Sequence, residues 1–159
     1  MNWNDYFINI AREVAKKSKD PSSKVGCVIV DGGHRPISFG YNGFVAGCDE
    51  SLMTFERPLK YNLIIHAEMN ALIFAHRSLK DAKVYITHGP CENCLKHLIQ
   101  AGIKEIYYQN SGILIERGSV EQREAIIRLI NSTGITCQNI SGVSYVEELS
   151  QSGSLGSSK

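Results

Sequence analysis

Apolar residues open the chain at helical spacing. Trp3, Tyr6, Phe7, Ile10 and Val14 recur every three or four positions, while Arg12, Glu13, Lys16 and Lys17 fall between them. That period puts the first set on one face, so the segment reads as an amphipathic helix ending before Asp20-Pro21. Val25 to Val30 is instead an unbroken apolar run, read as a buried strand. Asp31-Gly32-Gly33 has turn chemistry, and Ile37 to Tyr41 is the strand that returns. From Asn42 to Asn62 no period survives, and a loop of that length inside a compact domain is usually functional or mobile. Patterning resumes with a helix expected from about His66 to Ser78 and a strand at Lys83–Thr87. A helix from Cys91 to Ala101 follows, with Gly102 suited to the left-handed position past its end. Next come a strand at Ile103–Tyr108, a helix at Val120–Ser132 closed by Gly134, and a last strand at Ile135–Ile140. Strands alternating with helices from residue 83 onward imply parallel pairing. Together with the initial hairpin they give an α/β fold of three layers, α-β-α, around a mixed five-stranded sheet.

The chain has 159 residues, 43% hydrophobic and 21% charged, which suits one domain with a sizeable core. The expected domain is 1–149. Residues 150–159 are Ser/Gly-rich and read as a flexible end or an expression scar. No apolar run approaches the roughly 18 residues a membrane helix needs. Met1-Asn2-Trp3-Asn4-Asp5 lacks the basic start and apolar stretch of a secretory signal, so the expected location is cytoplasmic. A net charge of +1 gives no broad footprint for a nucleic-acid polymer. Five cysteines is an odd count, and Cys91 and Cys94 stand as Cys-x-x-Cys. In a reducing compartment that pattern means metal binding sooner than disulfides.

The chemistry concentrates in His66-Ala67-Glu68 and Pro90-Cys91-Glu92-Asn93-Cys94. A catalytic zinc takes three protein ligands and keeps a position open. His66, Cys91 and Cys94 supply that set, and Glu68 is surplus to it and free to move protons. Cys91 and Cys94 are three apart and share a helix face. At a helix start the macrodipole favours thiolate over thiol. His66 also opens a helix, so two helix N-termini converging on one metal is a consistent geometry. Two thiolates would leave the metal a weaker Lewis acid, which makes a nearby base more valuable. Cys-x-x-Cys alone could be half of a structural zinc site or a redox pair, but no second Cys-x-x-Cys exists. The joint pattern is the known signature of the zinc nucleobase deaminases.

Other residues weigh less. His76 reads as a surface or packed histidine on the His66 helix. His97, one turn past Cys94, reads as packing more than as a neighbour of the metal. His88 is poised between pocket lining and solvent, and His34 is a turn residue. Cys27 and Cys137 read as core, Cys48 as a local loop residue, and Tyr107 and Tyr108 as strand tyrosines of which one could line the pocket.

Over most of residues 1–140 the chain resembles the deoxycytidylate (dCMP) deaminases. The resemblance rests on Ser18-Lys19-Asp20-Pro21-Ser22-Ser23-Lys24-Val25-Gly26, on Gly40-Tyr41-Asn42-Gly43-Phe44 with Gly47-Cys48, on His66 to Ala71, and on Pro90 to Cys94. The Gly-Tyr-Asn-Gly segment points to the deoxycytidylate branch. The resemblance implies hydrolysis of dCMP to dUMP and ammonia for thymidylate synthesis, with one zinc on His66, Cys91 and Cys94 and the proton shuttle at Glu68. It implies that Asn42 contacts the sugar and that the backbone of Ala67 and Pro90 borders the base. It also implies a homo-oligomer, a hexamer in such proteins, activated by dCTP, with Mg²⁺ accompanying the effector, and inhibited by dTTP. Gly40, Tyr41 and Gly43 are the effector-site candidates. Lys24, Arg57 and Lys60 are candidate phosphate contacts, Arg57 and Lys60 also counting with the effector residues. His88-Gly89 departs from the family, whose members often carry bulkier apolar residues there. The competing readings are a tRNA adenosine or other nucleic-acid deaminase, a deaminase of free cytidine or cytosine, and a zinc-stabilised binding module without catalysis.

Overall fold

The structure is a computed structural model describing residues 1–157, with side-chain surroundings through Gln151. Helix α1 (Trp3–Ala15) starts at Asn2, whose side chain accepts from the Asp5 N–H. Its buried face is Phe7, Ile8, Ala11 and Ala15, rotated from the expected stripe: Trp3 and Tyr6 stay about half exposed. The cause is close packing on strand β1 (Gly26–Val30). A Cβ at Gly26 would lie 2.0 Å from the Ala11 carbonyl oxygen, so only small residues fit where helix and strand cross.

Strand β1 is buried along its whole length and forms a hairpin with β2 (Pro36–Tyr41), the sheet edge. The remaining elements are α2 (Lys60–Leu63), α3 (Ala67–Ile73), β3 (Lys83–His88), α4 (Glu92–Gln100), β4 (Glu105–Asn110), α5 (Gly112–Arg117), α6 (Val120–Thr133), β5 (Thr136–Asn139) and α7 (Tyr145–Ser157). The strand order is β2-β1-β3-β4-β5. The β1 pairings are antiparallel, and β3-β4 and β4-β5 are parallel. Alternate residues feed two cores. Val28, Val30, Tyr85 and Tyr107 meet α1 on one face. Cys27, Ile29, Val84, Ile86, Ile106 and Tyr108 meet α3, α4, α6 and α7 on the other. This is the expected α-β-α arrangement of a mixed five-stranded sheet.

Several boundaries differ from the sequence pattern. Helix α3 stops at Ile73 rather than near Ser78. Beyond it the chain turns through His76, which has positive φ, so that Ala75, Leu79 and Ala82 can enter the core before β3. The Asn42–Asn62 stretch carries a short 3₁₀ turn at Glu50–Leu52 and runs into α2. It is pinned by a Gly43–Ile65 bridge and a Phe44–Phe55 ring stack. Helices α5 and α7 have no counterpart in the pattern. Helix α7 takes in residues 150–157, which composition assigns to a flexible end. It does so because Tyr145 and Leu149, one turn apart, anchor its start in the core. Residues 158–159 of that expected tail lie outside the described residues. Among the described residues, no helix is long and apolar enough to cross a membrane.

Gly40 lies on β2 against α3, where a Cβ would come within 2.2 Å of the Ala67 carbonyl oxygen and 2.5 Å of the Ala71 nitrogen. Its hydrogen side chain lets α3 lie flat on the sheet, and Gly40 also borders a groove with Tyr41 and Gly43. Gly40→Ala should destabilise the fold by about 1–3 kcal/mol, on the order of 2–12 °C for a chain of this size. A thermal melt checks this, and an unchanged midpoint would mean α3 does not sit as described.

Candidate active site

His66 and Cys91 occupy the same local position, the N-cap residue in extended conformation immediately before α3 and before α4. From there a side chain reaches past the helix end, where backbone N–H groups are unpaired. Cys91 Sγ accepts from the Cys94 N–H at 3.4 Å. Cys94, one turn along, turns to the same side and is fully buried. His66 Nδ1 lies 3.3 Å from Cys94 Sγ and 3.6 Å from Cys91 Sγ, and the three donor atoms all fall within 4.8 Å of one another. A tetrahedral zinc with Zn–N of about 2.05 Å and Zn–S of about 2.3 Å would hold N and S about 3.5 Å apart. The donor set and its size therefore both fit zinc. Among the described residues this is the only such cluster of three or more. Cys27 and Cys137 are buried in the core and Cys48 lies in the loop.

Glu68 sits on the first turn of α3, outside the donor triangle and 4% exposed. Burial raises its carboxyl to about 7, against the pull of His66. A group poised near neutrality is suited to taking and returning a proton. Left to the protein groups alone, the hydrogen bond to Cys94 and the nearby His66 lower the Cys91 thiol to about 4. The Cys91 thiolate in turn raises His66 to about 9. Cys94, facing that thiolate in a buried position, is pushed up. A divalent cation held by His66, Cys91 and Cys94 would take both sulfurs as thiolates and offset their charge.

The cluster opens on a cavity of ≈ 290 Å³. Its wall includes Glu68, Ala67, Asn42, Val25, Leu114 and His88. Thr87 Oγ1 accepts from the Gly26 N–H at 3.1 Å and lies 2.8 Å from His88 Nδ1, within hydrogen-bond distance. Burial lowers the His88 pKa from its ordinary value. Four cation and aromatic groups, Arg57, Lys60, Tyr61 and Arg117, complete the rim.

The expected substrate and effector residues divide. Asn42 and Ala67 line the cavity, as do Arg57 and Lys60. Lys60 is not a free cation. It is 6% exposed and pairs with Asp20, itself 1% exposed, at 2.7 Å. Asn42 is heavily committed: Oδ1 accepts from Val25 N, and Nδ2 donates to Ser23 O at 2.9 Å and Asp20 Oδ2 at 3.4 Å. One Oδ1 lone pair is left for a ligand. Pro90 is buried outside the wall, its carbonyl accepting from Tyr145. Lys24 faces away, bonded to the Ser18 carbonyl and lining a different recess with Arg12 and Gln109. Tyr41 and Gly43 border neighbouring grooves with Phe44. His97 is exposed and bonded to the Asn93 carbonyl, away from the donors, and Tyr107 and Tyr108 are core. Sequence reasoning missed Arg117, Tyr61 and Gln122. Arg117 ends a helix whose short segment has no repeated period. Asp20-Pro21 was visible in the sequence as the end of the first helix, but not its ion pair across to residue 60.

This chain matches the family described as the cytidine and deoxycytidylate deaminase zinc-binding region over residues 1–110. It belongs to that family. It is 37% identical over 117 residues to the deoxycytidylate deaminase of Mus musculus, covering 69% of this chain and 66% of that protein. It is 32% identical over 143 residues to that of Homo sapiens, covering 86% of this chain and 78% of that protein. In fold it is similar to the dCMP deaminase of the cyanophage S-TIM5 solved in complex with dCMP and dUMP, with a TM-score of 0.65 at 24% identity, over 86% of this chain and 95% of that one.

The Asp20–Lys60 pair holds the turn 20–24, the Asn42 loop and α2 together at the cavity edge. Burial alone would raise the Asp20 carboxyl. The Lys60 ammonium and the N–H groups of Ser22 and Ser23 outweigh it, and its pKa ends below the ordinary value. Asp20→Asn strands a buried ammonium and should cost about 3–5 kcal/mol at neutral pH. A lowered folded-state pKa gives stability that is complete above the unfolded value near pH 4 and is lost as pH falls through the folded one. The difference in melting temperature between wild type and Asp20→Asn should therefore narrow below about pH 4. A constant difference from pH 7 to pH 2 would show that the ion pair is not its source.

Proposed function

We propose that this protein hydrolyses dCMP to dUMP and ammonia. The observation that carries the reading is a buried Glu68 beside a complete three-donor cluster, at the end of a cavity whose rim holds Arg57 and Arg117. His66, Cys91 and Cys94 would hold the zinc. When bound, the ion supplies Lewis-acid chemistry that makes water a competent nucleophile at neutral pH. The protein groups do the rest. The cavity wall includes the apolar side chains of Ala67, Val25 and Leu114, suited to the faces of a pyrimidine ring. Glu68 takes a proton from the attacking water and delivers it to the ring nitrogen. The remaining hydroxide oxygen adds to the amine-bearing carbon. Glu68 then takes the second proton, from the added hydroxyl, and passes it to the amino group, so that the carbon–nitrogen bond breaks, ammonia leaves and the oxygen stays as the ring carbonyl. Water and dCMP thus leave as dUMP and ammonia with no redox partner.

The two arginines support a nucleotide over a free nucleoside. Neither makes an ion pair among the described residues, and guanidinium groups match a phosphate dianion in charge and geometry. The mouse and human relatives are named for dCMP. Regulation by dCTP, with Mg²⁺, and by dTTP belongs to the same proposal. A second recess of ≈ 260 Å³ carries Lys17, Lys19, Tyr41 and Gly43, and it shares Asn42 with the catalytic cavity, so one ligand could shift the loop that serves the other. A homo-oligomer, hexameric as the family resemblance implies, is supported by the exposed apolar groove of Phe39, Tyr41, Ile73 and Phe74 on the sheet edge. Five free thiols suit a cytoplasmic setting.

The experiment is loss of cytosine absorbance with cytosine, deoxycytidine, CMP, dCMP and dCTP as substrates. Preference for dCMP supports the reading, and inertness toward every one of them with zinc bound would overturn it in favour of a binding module. Glu68→Gln should keep zinc and fold while losing about 10²–10⁴-fold in turnover, and near-normal turnover would remove the shuttle role. Arg117→Ala should raise KM for dCMP about tenfold or more, the loss of a charged hydrogen bond, with little change for deoxycytidine. Equal effects on both substrates would take Arg117 off the phosphate.

A further inference from the structure

The family match ends at residue 110, yet a residue far beyond it touches the segment that delivers a metal donor. Tyr145, the first residue of α7, is 0% exposed. Its hydroxyl donates to the Pro90 carbonyl at 3.0 Å in a buried setting. Its ring covers Gly89, where a Cβ would lie 2.8 Å from the ring carbon and the hydroxyl oxygen, so Gly89 is the residue that admits it. The ring also packs on Tyr108, tilted, with centroids 4.8 Å apart. Gly89 is held from the sheet side by its own N–H, which donates to the Asn110 carbonyl at 2.8 Å.

The link between β3 and α4 is therefore clamped twice, at Gly89 by β4 and at Pro90 by Tyr145. Pro90 has no N–H, so its carbonyl is the polar handle by which that residue can be fixed. Cys91 follows directly and caps α4 with its sulfur. A shift of the Pro90 carbonyl moves the Cys91 Cα with it, since the peptide plane between them is rigid.

We propose that Tyr145 is a positioning residue for Cys91: its hydroxyl, acting through the Pro90 carbonyl, sets where the Cys91 sulfur stands in the metal-binding triangle. The inference rests on the zinc reading of that triangle. It concerns metal retention first and turnover second. Tyr85 supplies the control. It too is a fully buried tyrosine with a hydroxyl bond, to Asn4 Oδ1 at 2.9 Å, but it lies in the core against α1 on the opposite sheet face.

The test compares zinc-loaded wild type, Tyr145→Phe and Tyr85→Phe. Zinc release to excess chelator is followed directly, with melting temperature, kcat and KM for dCMP alongside. Loss of an outer partner of a metal ligand weakens metal binding or activity by about 10–100-fold. Tyr145→Phe should release zinc about tenfold faster, with kcat falling and KM nearly unchanged, while Tyr85→Phe loses similar stability and neither of those functions. Equal release from the two variants would overturn the proposal and leave Tyr145 as packing. Should Tyr145→Phe not fold, Gly89→Ala, which crowds the ring off the carbonyl, is read by the same criterion. Release needs no substrate, so a failure of the dCMP reading leaves this test intact. A wild-type protein that binds no zinc would overturn the metal reading and this inference together.

Discussion

Everything at the working end of this molecule depends on bringing two helix starts to one point. His66 before α3 and Cys91 before α4 are 25 positions apart in the chain, yet their donor atoms stand 3.6 Å from each other. The sheet does this. Strands β1 and β3 are direct neighbours, and α3 and α4 both pack on the same face, in one core with Ala67, Ala71, Leu95 and Leu98. Small residues set the fit. Gly40 lets α3 approach β2, and Ala67 and Ala71 present no bulk to the sheet. With both helices seated, the N-cap side chains converge on one point, and Glu68 on the first turn of α3 lies beside them.

The cavity mouth depends on a different interaction. Asp20 and Lys60 are buried together, and a buried ion pair gives less net stability than its short distance suggests, because two charges leave water. What it gives here is registry. Asp20 gathers the Ser22 and Ser23 N–H groups, Asn42 and Lys60, so three loop segments with no shared ladder meet at one carboxylate. Arg57 and Tyr61 flank Lys60 in sequence and reach the rim from that anchor. The opposite wall comes from α5, which is tied to α7 by Ser111 and Glu148. The mouth is thus assembled from segments whose placement is tertiary, while the metal end is assembled from local motifs.

That division explains what was legible in the sequence. The metal triangle and Glu68 could be read because helix-cap spacing is local: Cys91 and Cys94 share a face by geometry alone. The sheet could be read because its strands are dense apolar runs, and Gly102 and Gly134 take the left-handed backbone expected after α4 and α6. Asn42 was visible as a polar residue past a strand end. Whether its amide faced a ligand or the protein depended on Asp20 and Ser23, some twenty positions away. Lys60 reads as a candidate phosphate contact, and its burial against Asp20 stays hidden because nothing near it in the chain announces that partner. Helix α7 escaped because its anchors are only Tyr145 and Leu149, ahead of Ser and Gly that carry no period. The reach of α3 was overstated because Ala75 and Leu79 continue a helical spacing that the turn at His76 interrupts.

The central claim is a zinc centre with three protein donors and one position left for chemistry, and X-ray absorption at the zinc edge on the purified protein tests it most directly. The account predicts one zinc per chain with two sulfur neighbours at about 2.3 Å and two nitrogen or oxygen neighbours at about 2.0–2.2 Å. A chain without zinc, or a shell of three or four sulfurs, would contradict it.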